Sequence, residues 1–216
     1  MTTDIAPSDI EIHRLFATPI ASTGFPDAGN LNAGLSELIL RRSKKEVSTQ
    51  HSNVGGWQSR DDFCSWDEPP VTALLEFATA FVTQLTAENS PSGLVEPTRP
   101  WHVEGWANVN YAGCSNAIHG HPGAFWSAVY WVDDGGHEAS PEVGGELDFY
   151  DPRGLLPATY APSLRFRIEG CLSAGYTQTA SPRTGRIVVF PSWLLHSVRP
   201  YNGTQPRISV ALNFSI

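Results

Sequence analysis

The sequence has few cysteines and no long apolar run, and each shortage excludes a class of protein. Its 216 residues contain only 3 cysteines, Cys64, Cys114 and Cys171, which are widely spaced and form no Cys-x-x-Cys motif. A disulfide-rich secreted fold is therefore not expected, and a reducing compartment fits best. No apolar stretch approaches the ~18 residues that cross a membrane, and the first residues lack a signal-peptide pattern. We expect a soluble, cytoplasmic protein without a membrane partner.

Positive charge is also scarce. The chain has 14 Lys and Arg residues against 22 Asp and Glu residues, which gives a formal net charge of −8 at pH 7. Proteins that bind nucleic acid need a basic surface to neutralise phosphates, so we expect no nucleic-acid partner. The same acidic balance argues against a strongly anionic substrate.

Two segments in the first hundred residues have the periodicity of amphipathic helices. Apolar residues recur at helical spacing over residues 31–39, and a basic cluster that suits a helix C-terminus follows them. A longer pattern of the same kind runs from residue 71 to residue 85. Residues 10–20 alternate loosely and predict a first strand, whereas residues 52–65 have no usable period and predict a loop.

After Pro100 the helical periodicity disappears, and short β-type runs appear with turn residues between them. Several short strands without helices between them predict an antiparallel sandwich or barrel, with the two helices laid against it. The sequence thus predicts a single mainly β domain over residues 1–216, with an N-terminal strand and helical part at 1–100 and a β core at 101–216. The predicted strands are 101–111, 125–132, 146–150, 163–172, 185–190 and 206–216.

Three histidines are candidates for a metal site. His119 and His121 stand two residues apart, and side chains at that spacing in an extended segment point to the same side. Two imidazoles so placed can ligate one metal ion, while the alternative is a pair of solvent-exposed loop residues. His196 follows a buried apolar run that ends at Pro191, which predicts a position just past the end of a strand, at the mouth of the β structure. A histidine there is by itself more often structural.

The last predicted strand has two different faces. The polar face of this last strand carries only one charged residue, fewer than the face of a solvent-exposed strand normally does. We therefore expect this face to form the wall of a ligand cavity. The planar guanidinium of Arg207 can donate two parallel hydrogen bonds to a carboxylate, while the alternative is a surface salt bridge. The apolar face consists of Ile208, Val210, Leu212 and Phe214, and the polar face of Arg207, Ser209, Ala211 and Asn213.

The order and spacing of several short motifs resemble the 2-oxoglutarate- and Fe(II)-dependent oxygenases, most closely a bacterial and phage-type group among them. The resemblance implies a double-stranded β-helix, or jelly roll, over residues 101–216, with the N-terminal helices packed on one side. It also implies Fe(II) and 2-oxoglutarate as cofactors, O2 as co-reactant, and hydroxylation of a small-molecule or peptidyl substrate. The motifs are Tyr111-Ala-Gly, His119-Gly-His121, Ser127-Ala-Val-Tyr-Trp-Val, Gly144-Gly145-Glu-Leu-Asp-Phe-Tyr, Gly185-Arg-Ile-Val-Val-Phe-Pro-Ser with His196, and Arg207-Ile-Ser209.

The resemblance also implies roles for individual residues. It makes His119 and His196 iron ligands, and it makes Arg207, with Ser209, the anchor of the far carboxylate of 2-oxoglutarate. Tyr111 and Ser127 match more weakly. They stand at positions where relatives place polar contacts to the cosubstrate.

The sequence departs from the family at His121, where relatives carry a carboxylate ligand. Two histidines and one carboxylate are the usual iron site of these oxygenases. We favour the interpretation that His121 itself ligates, which gives a three-histidine site with one more unit of positive charge. Alternatively, water, Glu146 or Asp148 completes the site, or the metal is lost.

Two other functions stay open on the sequence. A three-histidine cupin-type dioxygenase would need no 2-oxoglutarate and would leave Arg207 without that role. A non-catalytic jelly-roll binding protein would carry vestigial histidines and no redox metal. A zinc hydrolase is disfavoured because no general-base carboxylate stands at a recognisable spacing.

Overall fold

Two antiparallel β-sheets and two helices dominate the computed structural model, which describes residues 10–13, 15–154, 160–168, 175 and 177–216. In chain order the elements are β1 (Ala21–Gly24), α1 (Ala28–Ser43), β2 (Asn53–Val54), β3 (Trp57–Gln58), α2 (Pro69–Gln84), β4 (Glu88–Ser90), β5 (Gly93–Val95), β6 (His102–Asn110), β7 (Cys114–His119), β8 (Trp126–Asp133), β9 (Leu147–Tyr150), β10 (Thr177–Ala180), β11 (Arg186–Pro191), β12 (His196–Tyr201) and β13 (Arg207–Ser215), with short 3-10 turns at Phe63–Ser65 and Pro141–Val143.

The larger sheet has 6 strands in the order β1-β11-β8-β13-β6-β3, and the smaller has 5 in the order β10-β9-β12-β7-β2. Strands β4 and β5 form a separate two-stranded ribbon. Strand β13 lies between β6 and β8, so both of its edges are hydrogen-bonded. Because this strand is held on both sides, the residues on its two faces have fixed positions.

The two helices cover one face of the larger sheet. In α2, Pro69 and Pro70 stand in the first turn, where the missing amide protons would have no helical partner in any case. The apolar faces of both helices pack against the apolar face of β13 and its neighbours in one hydrophobic cluster. The buried helical residues include Leu35 and Ile39 of α1 and Leu74 and Val82 of α2, and the β13 residues are Ile208, Val210, Leu212 and Phe214.

A second hydrophobic cluster lies between the two sheets. It contains Trp131 of β8, Leu147 and Phe149 of β9, Val188 and Phe190 of β11, and Leu194. The predicted mainly β architecture, with helices packed on one side, is confirmed. The interpretation of residues 1–216 as one domain stays a prediction.

Some predicted elements differ from the structure. Residues 10–13 and 15–20 contain no strand, and their apolar side chains Ile10, Ile12 and Leu15 are exposed, so this alternation has no core to pack against. The predicted strand at 163–172 is wrong over 163–168, which are turn and irregular, and residues 169–172 lie outside the described residues. The predicted loop at 52–65 contains the short strands β2 and β3.

Strands β7 and β12 are missing from the sequence prediction, which treats both segments as loops. Neither has a regular apolar face: Ile118 in β7 is exposed, and β12 contains Pro200. Their pairing with each other, and that of β12 with β9, makes them strands. His196 follows β11, which ends at Pro191 as predicted, and it is also the first residue of β12, which the sequence did not predict.

No helix in the described part of the chain is long and apolar enough to cross a membrane. Cys64 and Cys114 are free thiols, and Cys171 lies outside the described residues.

Candidate metal centre and anion site

The three candidate histidines lie together. Their nearest ring nitrogens are all within 4.8 Å of one another. His119 ends β7 and His196 begins β12, and the two residues are direct partners in the antiparallel pair. His121 follows in the next turn, where its backbone N–H donates to the carbonyl of Ser192 at 2.9 Å. The pairing of β7 with β12 thus positions the rings of His119 and His196, and the turn after β7 places the ring of His121 beside them.

Hydrogen bonds set the tautomers of two of the rings. Nδ1 of His119 lies 2.8 Å from the carbonyl of Ala117, and Nδ1 of His196 lies 2.8 Å from that of Leu194. A carbonyl only accepts, so each Nδ1 carries the proton and each Nε2 keeps its lone pair. Nε2 of His119 accepts only a long hydrogen bond from the Ser52 hydroxyl, at 3.3 Å. Two lone pairs are thus available to a metal ion, and their second-sphere carbonyl partners are in place.

Burial keeps the three rings uncharged. It lowers the pKa of His196 to about 3, with a further contribution from the neighbouring histidines. Burial, and then the proximity of His119, lowers the pKa of His121 to about 4. The pKa of His119 is lowered by burial as well. All three imidazoles are therefore neutral at pH 7, which is the form that binds a metal.

No carboxylate belongs to this cluster among the described residues. Asp148 Oδ2 accepts a hydrogen bond from Nε of Arg199 at 2.7 Å, and Glu146 Oε1 lies 3.9 Å from Nη1 of the same arginine. Neither carboxylate lines the cavity beside the histidines. The alternative in which Glu146 or Asp148 completes the site receives no support from this arrangement.

Arg207 is a buried cation without an ion-pair partner among the described residues. Only 1 % of it is exposed. Its Nη1 makes two long hydrogen bonds, to Oδ1 of Asn110 and Oγ of Ser209, both 3.4 Å, and its Nε has no partner. Burial lowers the pKa of Arg207 to about 10, so the guanidinium is still charged at pH 7. A buried charge with unfilled donors is costly unless an anion binds it.

One cavity between the two sheets joins the histidines to Arg207. All four residues on the polar face of β13 line it, as that pattern predicts. Ser127 lines it too and donates to Oδ1 of Asn213 at 2.7 Å. Tyr111, in contrast, is half-exposed and is not part of the lining, so the structure does not bring it to this cavity. We call this space the inner cavity, and its polar lining is Ser52, Asn108, Asn116, Ser127, Ser209 and Asn213 with the three histidines and Arg207.

Sequence reasoning missed the contribution of β6. Asn110 pairs with Arg207 and accepts its hydrogen bond, and Asn108 pairs with Ser209 beside it. The sequence contains a pattern that predicts this face. Residues of the main hydrophobic cluster alternate along β6 with Glu104, Trp106, Asn108 and Asn110. The parity argument that revealed the polar face of β13 reveals this face as well.

A family model matches residues 104–213, the part of the chain that carries the three histidines and Arg207. The family is described as "Putative 2OG-Fe(II) oxygenase". The chain belongs to this family. Its members are enzymes that use Fe(II) and 2-oxoglutarate, so the predicted enzyme class and cofactors are confirmed.

Solved structures show the same fold. A prolyl-4-hydroxylase of Pseudomonas putida is 17% identical, with 92% of each chain covered and a TM-score of 0.58. HygX of Streptomyces hygroscopicus, solved with nickel and 2-oxoglutarate bound, is 13% identical, with 92% of this chain and 83% of that chain covered and a TM-score of 0.55. A prolyl hydroxylase of Trichoplax adhaerens, in complex with a peptide fragment of hypoxia inducible factor, is 11% identical, with coverages of 91% and 83% and a TM-score of 0.58. These likenesses confirm the jelly roll. No protein with a curated function matches the sequence.

Proposed function

We propose that this oxygenase hydroxylates an organic substrate, with His119, His121 and His196 as the iron ligands and Arg207 as the anchor of 2-oxoglutarate. One observation carries the proposal: a fully buried arginine, which has no ion pair with any described residue, lies in the same cavity as three neutral imidazoles. Such a cavity has donors for a carboxylate at one place and lone pairs for a metal ion at another.

The histidine cluster fits a divalent iron ion. Imidazole is an established ligand of iron, zinc and copper, and the carbonyls of Ala117 and Leu194 hold two of the rings in the tautomer that exposes Nε2. Bound there, iron supplies the redox chemistry with O2 that couples decarboxylation of 2-oxoglutarate, to succinate and CO2, to insertion of one oxygen atom into a substrate C–H bond. The protein residues hold the ion and shield it from bulk water.

Arg207 fits the far carboxylate of 2-oxoglutarate. Its Nε has no partner and its Nη1 bonds are long, so a carboxylate can accept from the guanidinium edge without displacing a strong hydrogen bond. The hydroxyl of Ser209 is next to it on the same face of β13 and can donate to the same anion. Ser127 reaches the inner cavity, so we retain it as a polar contact. We do not include Tyr111.

The three-histidine site adds one positive charge compared with a site that holds one carboxylate. This extra charge favours anionic ligands at the metal, because the inner cavity has no carboxylate of its own among the described residues. A cupin-type dioxygenase that needs no cosubstrate would have the same histidines. The buried Arg207 argues against that alternative. Among the described residues it has no direct ion pair, and the more distant charges of Asp134 and Glu146 only partly offset the cost of its burial, so a bound anion would complete its compensation.

The substrate is small or peptidyl in this proposal, and the structure of the neighbour in complex with a peptide fragment is consistent with the peptidyl alternative. A cytoplasmic location also stays a proposal, which the free thiols of Cys64 and Cys114 support.

An anaerobic titration tests the assignment. Fe(II) and 2-oxoglutarate are added to the protein, and the weak visible charge-transfer band of the metal chelate is recorded; O2 is then admitted and succinate is measured. We expect the band and slow uncoupled succinate formation. Arg207→Ala should require far more 2-oxoglutarate to develop the band, whereas Arg183→Ala, at an exposed arginine outside the inner cavity, should behave as the parent does.

The proposed function is wrong if neither the band nor succinate appears with fully iron-loaded protein. Normal 2-oxoglutarate affinity in Arg207→Ala would instead remove only the anchor role and leave the iron site standing.

A further inference from the structure

The inner cavity opens into a wider cleft of about 550 Å³, which we call the outer cleft. Its lining includes His119 and His121, so a molecule in the outer cleft faces the metal cluster. Trp106 belongs to both spaces, and its ring centroid lies 5.4 Å from that of His121. A molecule can therefore approach the three histidines through the outer cleft, whose lining does not include Arg207.

The pairing of β6 with β13 orders the residues from the bottom of the site to its mouth. Arg207 pairs with Asn110 at the bottom, Ala211 pairs with Trp106 in the middle, and Glu104 pairs with Asn213 at the outer end. Along β13 the first step is four residues long and the second is two. At ~3.4 Å per residue these six residues span about 20 Å. The charge changes sign along it, from the Arg207 guanidinium to the Glu104 carboxylate.

The outer cleft is acidic. Glu104 and Asp61 line it, and no lysine or arginine does so within the described part of the chain. Each carboxylate has one exposed histidine near it: His102 lies 3.6 Å from Glu104, and His51 lies 4.0 Å from Asp61. Such exposed pairs are weak, and the side chains of Glu104 and Asp61 remain 62% and 54% exposed. Both carboxylates are therefore open to a second cation.

An unpartnered acceptor lies in the same lining. Gln58 is only 2 % exposed, and its Oε1 is buried without a hydrogen-bond partner. It pairs with Asn108 through β3 and lines the outer cleft. A buried acceptor without a hydrogen bond is energetically unfavourable, so a ligand that donates a hydrogen bond to this oxygen would be stabilised.

We propose that the substrate of this oxygenase carries an ammonium or guanidinium group that binds in the outer cleft. Glu104 and Asp61 supply the opposite charge, Gln58 Oε1 accepts a hydrogen bond, and the face of Trp106 attracts the cation. The arrangement separates two ligands by charge, since the anionic cosubstrate is held at Arg207 and a cationic substrate at the other end. This inference rests on the proposed function, because it takes the histidine cluster as the reacting centre.

Binding to the full chain without iron tests the charge preference directly. The probes are N-acetyl-arginine amide and its neutral isostere N-acetyl-citrulline amide, and N-acetyl-lysine amide and N-acetyl-norleucine amide, each titrated by calorimetry at low salt. We expect each cation to bind about tenfold more tightly than its neutral partner, and salt to reduce the difference. Because no iron is present, failure here is distinguishable from failure of the metal assignment, which the visible band reports.

Variants locate the site. Glu104→Gln and Asp61→Asn should each remove most of the preference for the cation. Gln58→Met should weaken the three probes with side-chain N–H donors, which are the arginine, citrulline and lysine derivatives, and leave the norleucine derivative unchanged. Glu37→Gln, the same charge change on the exposed side of α1, should leave the preference intact. Equal binding of the cations and their neutral partners would overturn the proposal, and so would the absence of binding by any cation at roughly 10 mM probe. A preference for the cation that survives both acidic substitutions would overturn it as well.

Discussion

His119 and His196 face each other across the antiparallel pair of β7 and β12, and their ring centroids lie 4.3 Å apart. Each ring donates its Nδ1 proton to the carbonyl two residues earlier in its own segment. The two nitrogens left for a metal ion are therefore positioned by backbone hydrogen bonds, with His121 at 5.0 and 5.1 Å from the two rings by centroid.

Replacing His196 with alanine should abolish tight metal binding. The change removes one of the proposed ligands, so the loss should exceed the roughly 10- to 100-fold that loss of a supporting hydrogen bond costs. Iron per chain after anaerobic loading measures it. His13→Ala, at an exposed histidine outside the cluster, is the control. Full occupancy in the His196 variant would remove it from the ligand set.

The substitution His121→Asp tests whether the third imidazole ligates. Aspartate restores the usual set of two histidines and one carboxylate, so this variant should keep iron and still form succinate. His121→Ala should lose both. If alanine at this position binds iron as well as the parent does, His121 points away from the metal and water completes the site.

Arg207→Met should stabilise the protein without cosubstrate and at the same time abolish 2-oxoglutarate binding. Methionine fills much of the same volume and removes a buried charge whose Nε has no partner. Desolvation of a single buried charge costs on the order of several kcal/mol, and a residue without a direct ion pair recovers only part of this cost. Thermal melting with and without 2-oxoglutarate measures both effects.

The parent should gain about 2.7 kcal/mol of stability at a cosubstrate concentration 100 times its Kd, and Arg207→Met should gain none. A variant that melts at a lower temperature than the parent without cosubstrate would show that Arg207 is a structural residue with partners of its own.

Gly145→Ala should weaken 2-oxoglutarate binding through Arg207. Gly145 has φ +83°, and an added Cβ would lie 3.0 Å from Cδ and 3.1 Å from Nε of Arg207. Alanine therefore carries the ~1–2 kcal/mol of a left-handed backbone and also displaces the guanidinium. Gly113→Ala is the matched control, with φ +86° and no atom within 4 Å of the added carbon. Equal losses of cosubstrate affinity in both variants would contradict the contact argument.

Tyr130→Phe should destabilise the fold without changing the site. The Tyr130 hydroxyl donates to Oδ1 of Asn32 at 2.7 Å and joins β8 to α1 in a buried position. Its loss leaves a buried acceptor unsatisfied, at a cost of about 1–3 kcal/mol. Urea unfolding measures this, and an unchanged midpoint for metal loading shows that the effect is confined to the helix contact.

The apolar pattern of the chain was sufficient to predict the elements in which apolar residues recur at a regular period. The two helices and the long strands β6, β8, β11 and β13 were predictable because each has an apolar face that must be buried. The alternation in β13 also placed Arg207 and Ser209 on the cavity side. Side chains on a strand change face at every residue, so the pattern alone fixes which residues share a face.

The positions at which these faces meet depend on strand pairing between distant segments of the chain. Strands β7 and β12 lack a regular apolar pattern and form because they pair with each other, and that pairing brings His119 to His196 across 77 residues of chain. The pairing of β6 with β13 brings Asn110 to Arg207, while Tyr111, the next residue, stays outside the inner cavity. Contacts between residues distant in sequence depend on which strands pair and in which register. An apolar pattern specifies the register only where a strand has a regular buried face, and β7 and β12 lack one.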